Sequence, residues 1–102
     1  MLSIKKTLTK ILQWISGLTV ETTELSSASL AASGSGNSSG SISKTGKTPM
    51  GIVGIEKGGA GNGDVAFTAY YLSGSNAVVS LRNLATSSRT VTCTVHVLYK
   101  KS

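Results

Sequence analysis

At 102 residues the chain has room for one domain, and its ten Lys and Arg against four Asp and Glu give a formal net charge of +6. Charged residues make up 14% and apolar residues 39%, too apolar and too weakly charged for an intrinsically disordered chain. Four carboxylates, one His and one Cys leave little material for paired-acid catalysis, a metal cluster or a disulfide framework.

The first element is helical by its period. Ile4, Leu8, Ile11, Ile15 and Leu18 recur with a 4-3-4-3 spacing, the a/d seam of a coiled coil. The spacing predicts a helix over residues 1–17 that oligomerises or docks on another protein, because two heptads are too few to hold alone. Thr7, Thr9, Lys10 and Gln13 interrupt the apolar run of about 7–15 residues that a secretory leader needs. The segment also falls short of the about 20 apolar residues of a membrane span. An interfacial helix, with Lys5, Lys6 and Lys10 on its polar side and Trp14 at its edge, is the alternative and would make the protein a peripheral membrane binder. Gly17 suits a helix stop, and Thr19, Val20, Thr22 and Thr23 suit extended chain.

Residues 18–102 are expected to form a β domain. In the Ser/Gly-rich stretch, Ala28, Leu30 and Ala32 alternate with small polar neighbours. This predicts a strand over 26–33, a turn over 34–38 and a return strand through Gly40, Ile42 and Lys44, paired as a hairpin. KTGKTP at 44–49 reads as a turn, MGIVGIEK at 50–57 as a buried strand, and GGAGNG at 58–63 as a hairpin connector. The connector's glycines lack the following helix and Lys-Ser/Thr of a phosphate-binding loop.

Strict period-two alternation marks the last strands. Val65, Phe67, Ala69 and Tyr71 form one set, Ala77, Val79 and Leu81 a second, and Val91, Cys93, Val95, Val97 and Tyr99 a third. Turns at 73–76 and 83–89 separate them. Six or seven short strands predict a mainly β fold, an antiparallel β-sandwich or jelly-roll-like domain. With five aromatic residues and about half the chain available for the core, the domain would be marginal alone, and association of identical chains would supply the missing burial.

Single chemistry-bearing residues point away from catalysis. Cys93 is in phase with the apolar strand residues and reads as a small buried hydrophobe; His96 lies on the opposite face, with no neighbouring ligand at metal spacing. A paired-acid hydrolase would need Glu56 and Asp64 to converge across residues 58–63, without an aromatic sugar platform. No enzyme activity, cofactor or metal is expected. The ten basic residues are dispersed along the chain, with no aromatic-interleaved stripe, so nucleic acid is not an expected partner. The excess positive charge of an assembly could steer it toward an anionic glycan or cell surface.

Four strings carry a family resemblance. They are Lys44, Gly46, Pro49, Gly51, Ile52, Val53 and Gly54; Tyr70 or Tyr71 with Leu72, Ser73 and Gly74; Val79, Leu81, Arg82 and Asn83; and Val95, Val97, Leu98 and Tyr99. Over roughly residues 40–100 their order and spacing resemble the C-terminal β domain of small structural proteins of tailed bacteriophages and prophages. Lys47 departs from the pattern where an aromatic is common. The resemblance implies a virion protein, a homotrimeric fibre or appendage of the fibre, head-fibre or baseplate type, mounted on head or tail. A capsid decoration protein without receptor binding is the alternative.

In such an assembly the N-terminal helix would join copies, as a trimer, and dock to capsid or tail proteins. Weak contacts of linked domains to a host-surface glycan would gain by avidity. Surface loops are where binding residues concentrate, which makes Asn62, Asp64, Ser75, Asn76 and Arg89 the candidate contacts. Arg82, within an apolar strand pattern, reads as a structural hydrogen-bond donor between subunits.

Overall fold

The computed structural model describes residues 17–102. Ile4, Leu8, Ile11 and Ile15, and the expected helix over residues 1–17 apart from its last residue, lie outside the described residues. Leu18 is inside them, half-buried and one residue before the first strand. Gly17 adopts a left-handed conformation with φ 63°.

Seven strands follow: β1 Thr19–Glu24, β2 Ala28–Leu30, β3 Ser35–Ser41, β4 Lys47–Gly58, β5 Val65–Ser73, β6 Asn76–Asn83 and β7 Arg89–Lys101. All pairings are antiparallel, in two sheets. The long β7 is the spine of the first, with β4 along one edge and β1 then β2 along the other. The β1 and β2 registers differ by one residue, Glu24 opposite Thr94 and Ala28 opposite Val91, so the two form one edge interrupted at Ser26–Ser27. The second sheet runs β3-β6-β5. The mainly β, antiparallel, sandwich-like expectation therefore holds for the described residues.

The core lies between the sheets. On β7 the alternating Val91, Cys93, Val95, Val97 and Tyr99 are fully buried, and Ala77, Val79 and Leu81 of β6 face them. Burying a side chain of this kind contributes about 1.5–3 kcal/mol, so this pair of central strands carries most of the apolar stabilisation. The opposite face of β7 is a polar ladder in which His96 Nδ1 lies 2.9 Å from Thr22 Oγ1.

Three sequence expectations are corrected. The Ser/Gly stretch is not a hairpin: β2 pairs β7, β3 pairs β6, and the segment between them crosses from one sheet to the other. Residues 35–41, expected as mostly turn, are the strand β3. The inner face of β3 is Gly36, Ser38 and Gly40, opposite Leu81, Val79 and Ala77. Small residues are required there because Leu30 and Leu25 reach across; a Cβ on Gly36 would lie 2.6 Å from Leu30 Cδ2 and one on Gly40 3.3 Å from Leu25 Cδ2. Ser38 is buried and donates from Oγ to the Ser26 carbonyl at 2.6 Å.

The second correction concerns residues 50–57 and 58–63. β4 is an edge strand, paired only to β7, and it leads through a 3-10 turn at Asn62–Asp64 into the other sheet rather than into a hairpin. The third concerns β5. A register shift between Phe67 and Ala69 inserts Thr68 as a bulge residue and reverses the phase. Val65, Phe67, Tyr70 and Leu72 therefore face inward, opposite Asn83, Leu81, Val79 and Ala77, while Ala69 and Tyr71 face out. Among the described residues β5–β6 is the one local hairpin, closed by Gly74 at φ 59°, the first central position where a two-residue turn favours Gly.

Candidate functional site

The sandwich is closed along one side and open along the other. On the β2–β3 side the Ser26 amide donates to the Ser39 carbonyl at 2.9 Å, bridging the sheets. On the β4–β5 side no backbone–backbone bridge is present among the described residues, and the inward-facing Phe67 and Tyr70 are 39% and 57% exposed.

The open side is shaped by β4. Its register to β7 shifts between Pro49 and Gly51 and again between Ile52 and Gly54, which makes Met50 and Val53 bulge residues. Both are more than half exposed, at 53% and 58%. Ile52 and Ile55 stay in phase with Val97 and Val95 and pack against the core. Between them and the β5 rings lies a shallow apolar seam of about 240 Å³, lined by Ile52, Val53, Gly54, Ile55, Phe67 and Tyr70. Exposed large apolar side chains gathered this way mark interaction surfaces rather than ordinary surface scatter.

Lys57 closes one end of the seam. It lies on the inner face opposite Cys93, where its ammonium donates to the Asn62 carbonyl at 3.0 Å and to the Val65 carbonyl. It also lies 5.3 Å from the Phe67 ring centroid, a cation–π distance. Lys57 thereby fixes the β4–β5 connection while leaving the seam free of carboxylates.

The five loop candidates split between the two ends of the sandwich. Asn62, Asp64 and Arg89 come together at the end remote from residue 17. Arg89 Nη2 and Nε donate to Asp64 Oδ2 at 3.1 and 3.3 Å, and its Nη1 donates to Ser87 Oγ at 2.6 Å. Asn62 Nδ2 donates to the Gly59 carbonyl at 2.8 Å. Gly61, at φ 73°, has Arg89 where its Cβ would be. These side chains are occupied in holding their own loops together. Ser75 and Asn76 are exposed in the β5–β6 hairpin at the opposite end of β6, where the Ser75 carbonyl accepts from the Ile42 amide at 2.8 Å.

Asn83 ties that remote end to the core. Fully buried, it donates from Nδ2 to the carbonyls of Ala31 and Ser87 at 3.1 and 2.9 Å, and its Oδ1 accepts from the Ala85 amide at 3.0 Å. One side chain thus links the loop after β2 to the loop before β7.

The residues weighed for catalysis stay apart. Glu56 reaches His96, Oε1 to Nε2 at 3.4 Å on the outer face, whereas Asp64 pairs with Arg89. His96 thus has an acid neighbour that sequence spacing did not show, but the strand backbone around it is committed to sheet pairing. Cys93 is buried, and burial pushes its thiol above the usual range despite the Ser38 hydroxyl beside it. Among the described residues no group of three His, Cys, Asp or Glu could hold a metal ion.

The seam was missed by sequence reasoning, yet a signal exists. Met50-Gly51-Ile52 and Val53-Gly54-Ile55 repeat with period three, which a period-two strand can absorb only by bulging once per repeat. No protein-family model, curated protein or solved structure matches this chain.

Proposed function

We propose that the chain is a bacteriophage virion structural protein, a homotrimeric fibre or appendage on head or tail whose β domain contributes to host-surface attachment. The observation that carries this is the polarity of the domain. The chain enters the sandwich at residue 17 beside the C-terminal end of β7, where Thr19 pairs with Tyr99. The loops holding Asn62, Asp64 and Arg89 lie at the other end, where β7 begins. A domain anchored through its first residues on a particle would present those loops outward and Ser75–Asn76 toward the particle. The resemblance to phage structural β domains adds to this, since its strings fall on the turn before β4 and β4 itself, the β5–β6 hairpin, β6 and β7.

Decoration of a capsid without receptor binding is the second reading, and one observation favours it. Asp64 and Arg89 satisfy each other, so the outward loops offer few free charged groups to a glycan. Antibody against the full chain, applied to particles purified from the source culture and viewed by electron microscopy, tests the proposal. Label at the particle surface is expected; particles that neither bind the antibody nor contain the chain by mass spectrometry would contradict it. Adsorption of the purified protein to host cells then separates attachment from decoration.

A further inference from the structure

We infer that the β4–β5 seam is an interface between copies of this chain, formed by side-chain packing rather than by strand addition. The inference rests on the homo-oligomeric part of the function proposed above and names its surface.

Area argues for a copy as the occupant. Met50, Val53, Phe67 and Tyr70 are each between 39% and 58% exposed. With about 150–250 Å² per aromatic side chain and somewhat less for Met and Val, they present roughly 300–400 Å² of surface. Two such faces together bury roughly 600–800 Å², the area of a weak contact, which repetition around an axis of the assembly would reinforce. Around a three-fold axis the same face of each of three copies can line the axis, so that no second surface is needed.

Charge argues the same way. Copies that each carry +6 repel unless they meet where charge is sparse. Between Met50 and Ile55, and between Phe67 and Leu72, no Lys, Arg, Asp or Glu occurs. Lys57 brings one charge to the end of the seam, held there on the Asn62 and Val65 carbonyls, while Lys100 and Lys101 end β7, Lys44 precedes β4, and Arg82 points from the outer face of β6. At physiological salt the screening length is about 8 Å, which limits the repulsion between copies to charges close to the contact.

The mode follows from the bulges. Two register shifts in β4, and one in β5, twist and interrupt the free edges against which another strand would have to align. The bulges also turn Met50 and Val53 outward, where they can enter the seam of a neighbouring copy.

Sedimentation of the full chain over a dilution series tests this with two seam variants, Val53→Lys and Tyr70→Ser. Both positions are more than half exposed, so each variant is expected to keep the wild-type circular dichroism while associating at least tenfold more weakly. Val20→Lys, at a residue 57% exposed on β1, is expected to associate like the wild type. An oligomer that both folded seam variants keep at wild-type affinity overturns the seam and leaves self-association standing. A wild type that stays monomeric throughout overturns both.

Discussion

Leu30 occupies the space that any side chain at position 36 would need. The Cδ2 atom of Leu30 lies 2.6 Å from where a Cβ on Gly36 would stand, and the same inner face of β3 continues with Ser38 and Gly40. Overpacking a filled site costs about 1–3 kcal/mol. Gly36→Val is expected to destabilise by at least that much in urea unfolding, and adding Leu30→Ala to the Gly36→Val chain is expected to cost less than the two single changes summed.

The far end of the sandwich holds a buried amide and a partly exposed ion pair, and they should respond differently. Asn83→Ala leaves the Ala85 amide and the Ala31 and Ser87 carbonyls without their partner, at roughly 2–4 kcal/mol. Asp64→Ala removes a carboxylate that is half exposed, with side-chain exposure of 52%, and is expected to cost about 0.2–1 kcal/mol, shrinking further in high salt. Unfolding of the two variants at low and high salt checks the contrast.

Alkaline pH should weaken the fold through two buried acids on β7. Burial raises the Cys93 thiol, and burial together with the nearby Glu21 carboxylate raises the Tyr99 phenol. The folded state therefore holds these protons more tightly than the unfolded state does. Their contribution is complete below the ordinary thiol and phenol range and is lost as pH rises above about 9. Cys93→Ala is expected to flatten the lower part of that decline. Tyr99→Phe should flatten the upper part, at about 1–3 kcal/mol overall for the hydrogen bond to the Ile42 carbonyl at 2.5 Å.

Lys57 should behave as a structural residue despite its charge. Lys57→Ala abandons the Asn62 and Val65 carbonyls and the Phe67 ring, and roughly 1–3 kcal/mol is expected to be lost. Lys57→Arg is expected to recover part of it. A Lys57→Ala chain with wild-type stability would contradict this role.

Where side chains alternate, the sequence announces the strand. Val91 through Tyr99 and Ala77 through Leu81 face inward as their spacing predicts. Legibility fails where the inner face has no side chains to count, as at Gly36, Ser38 and Gly40, or where a bulge reverses the phase, as at Thr68. The seam fails to show for the same reason: Phe67 and Tyr70 share a face only because of that bulge. Pairing is the third loss, because β7 draws β1, β2 and β4 from across the chain, and no local spacing records it. Of the loop candidates, Asn62 and Asp64 fall on the 3-10 turn and Arg89 on a strand start, but the Asp64–Arg89 pairing needs the contact between the connection after β4 and the start of β7, which no local spacing records.

The central claim is that this domain exists to assemble with copies of itself, and the mass of the purified full-length protein in solution tests it most directly. Light scattering at micromolar concentration is expected to return three times the 10.4 kDa chain mass. A mass of one chain at those concentrations would contradict the claim.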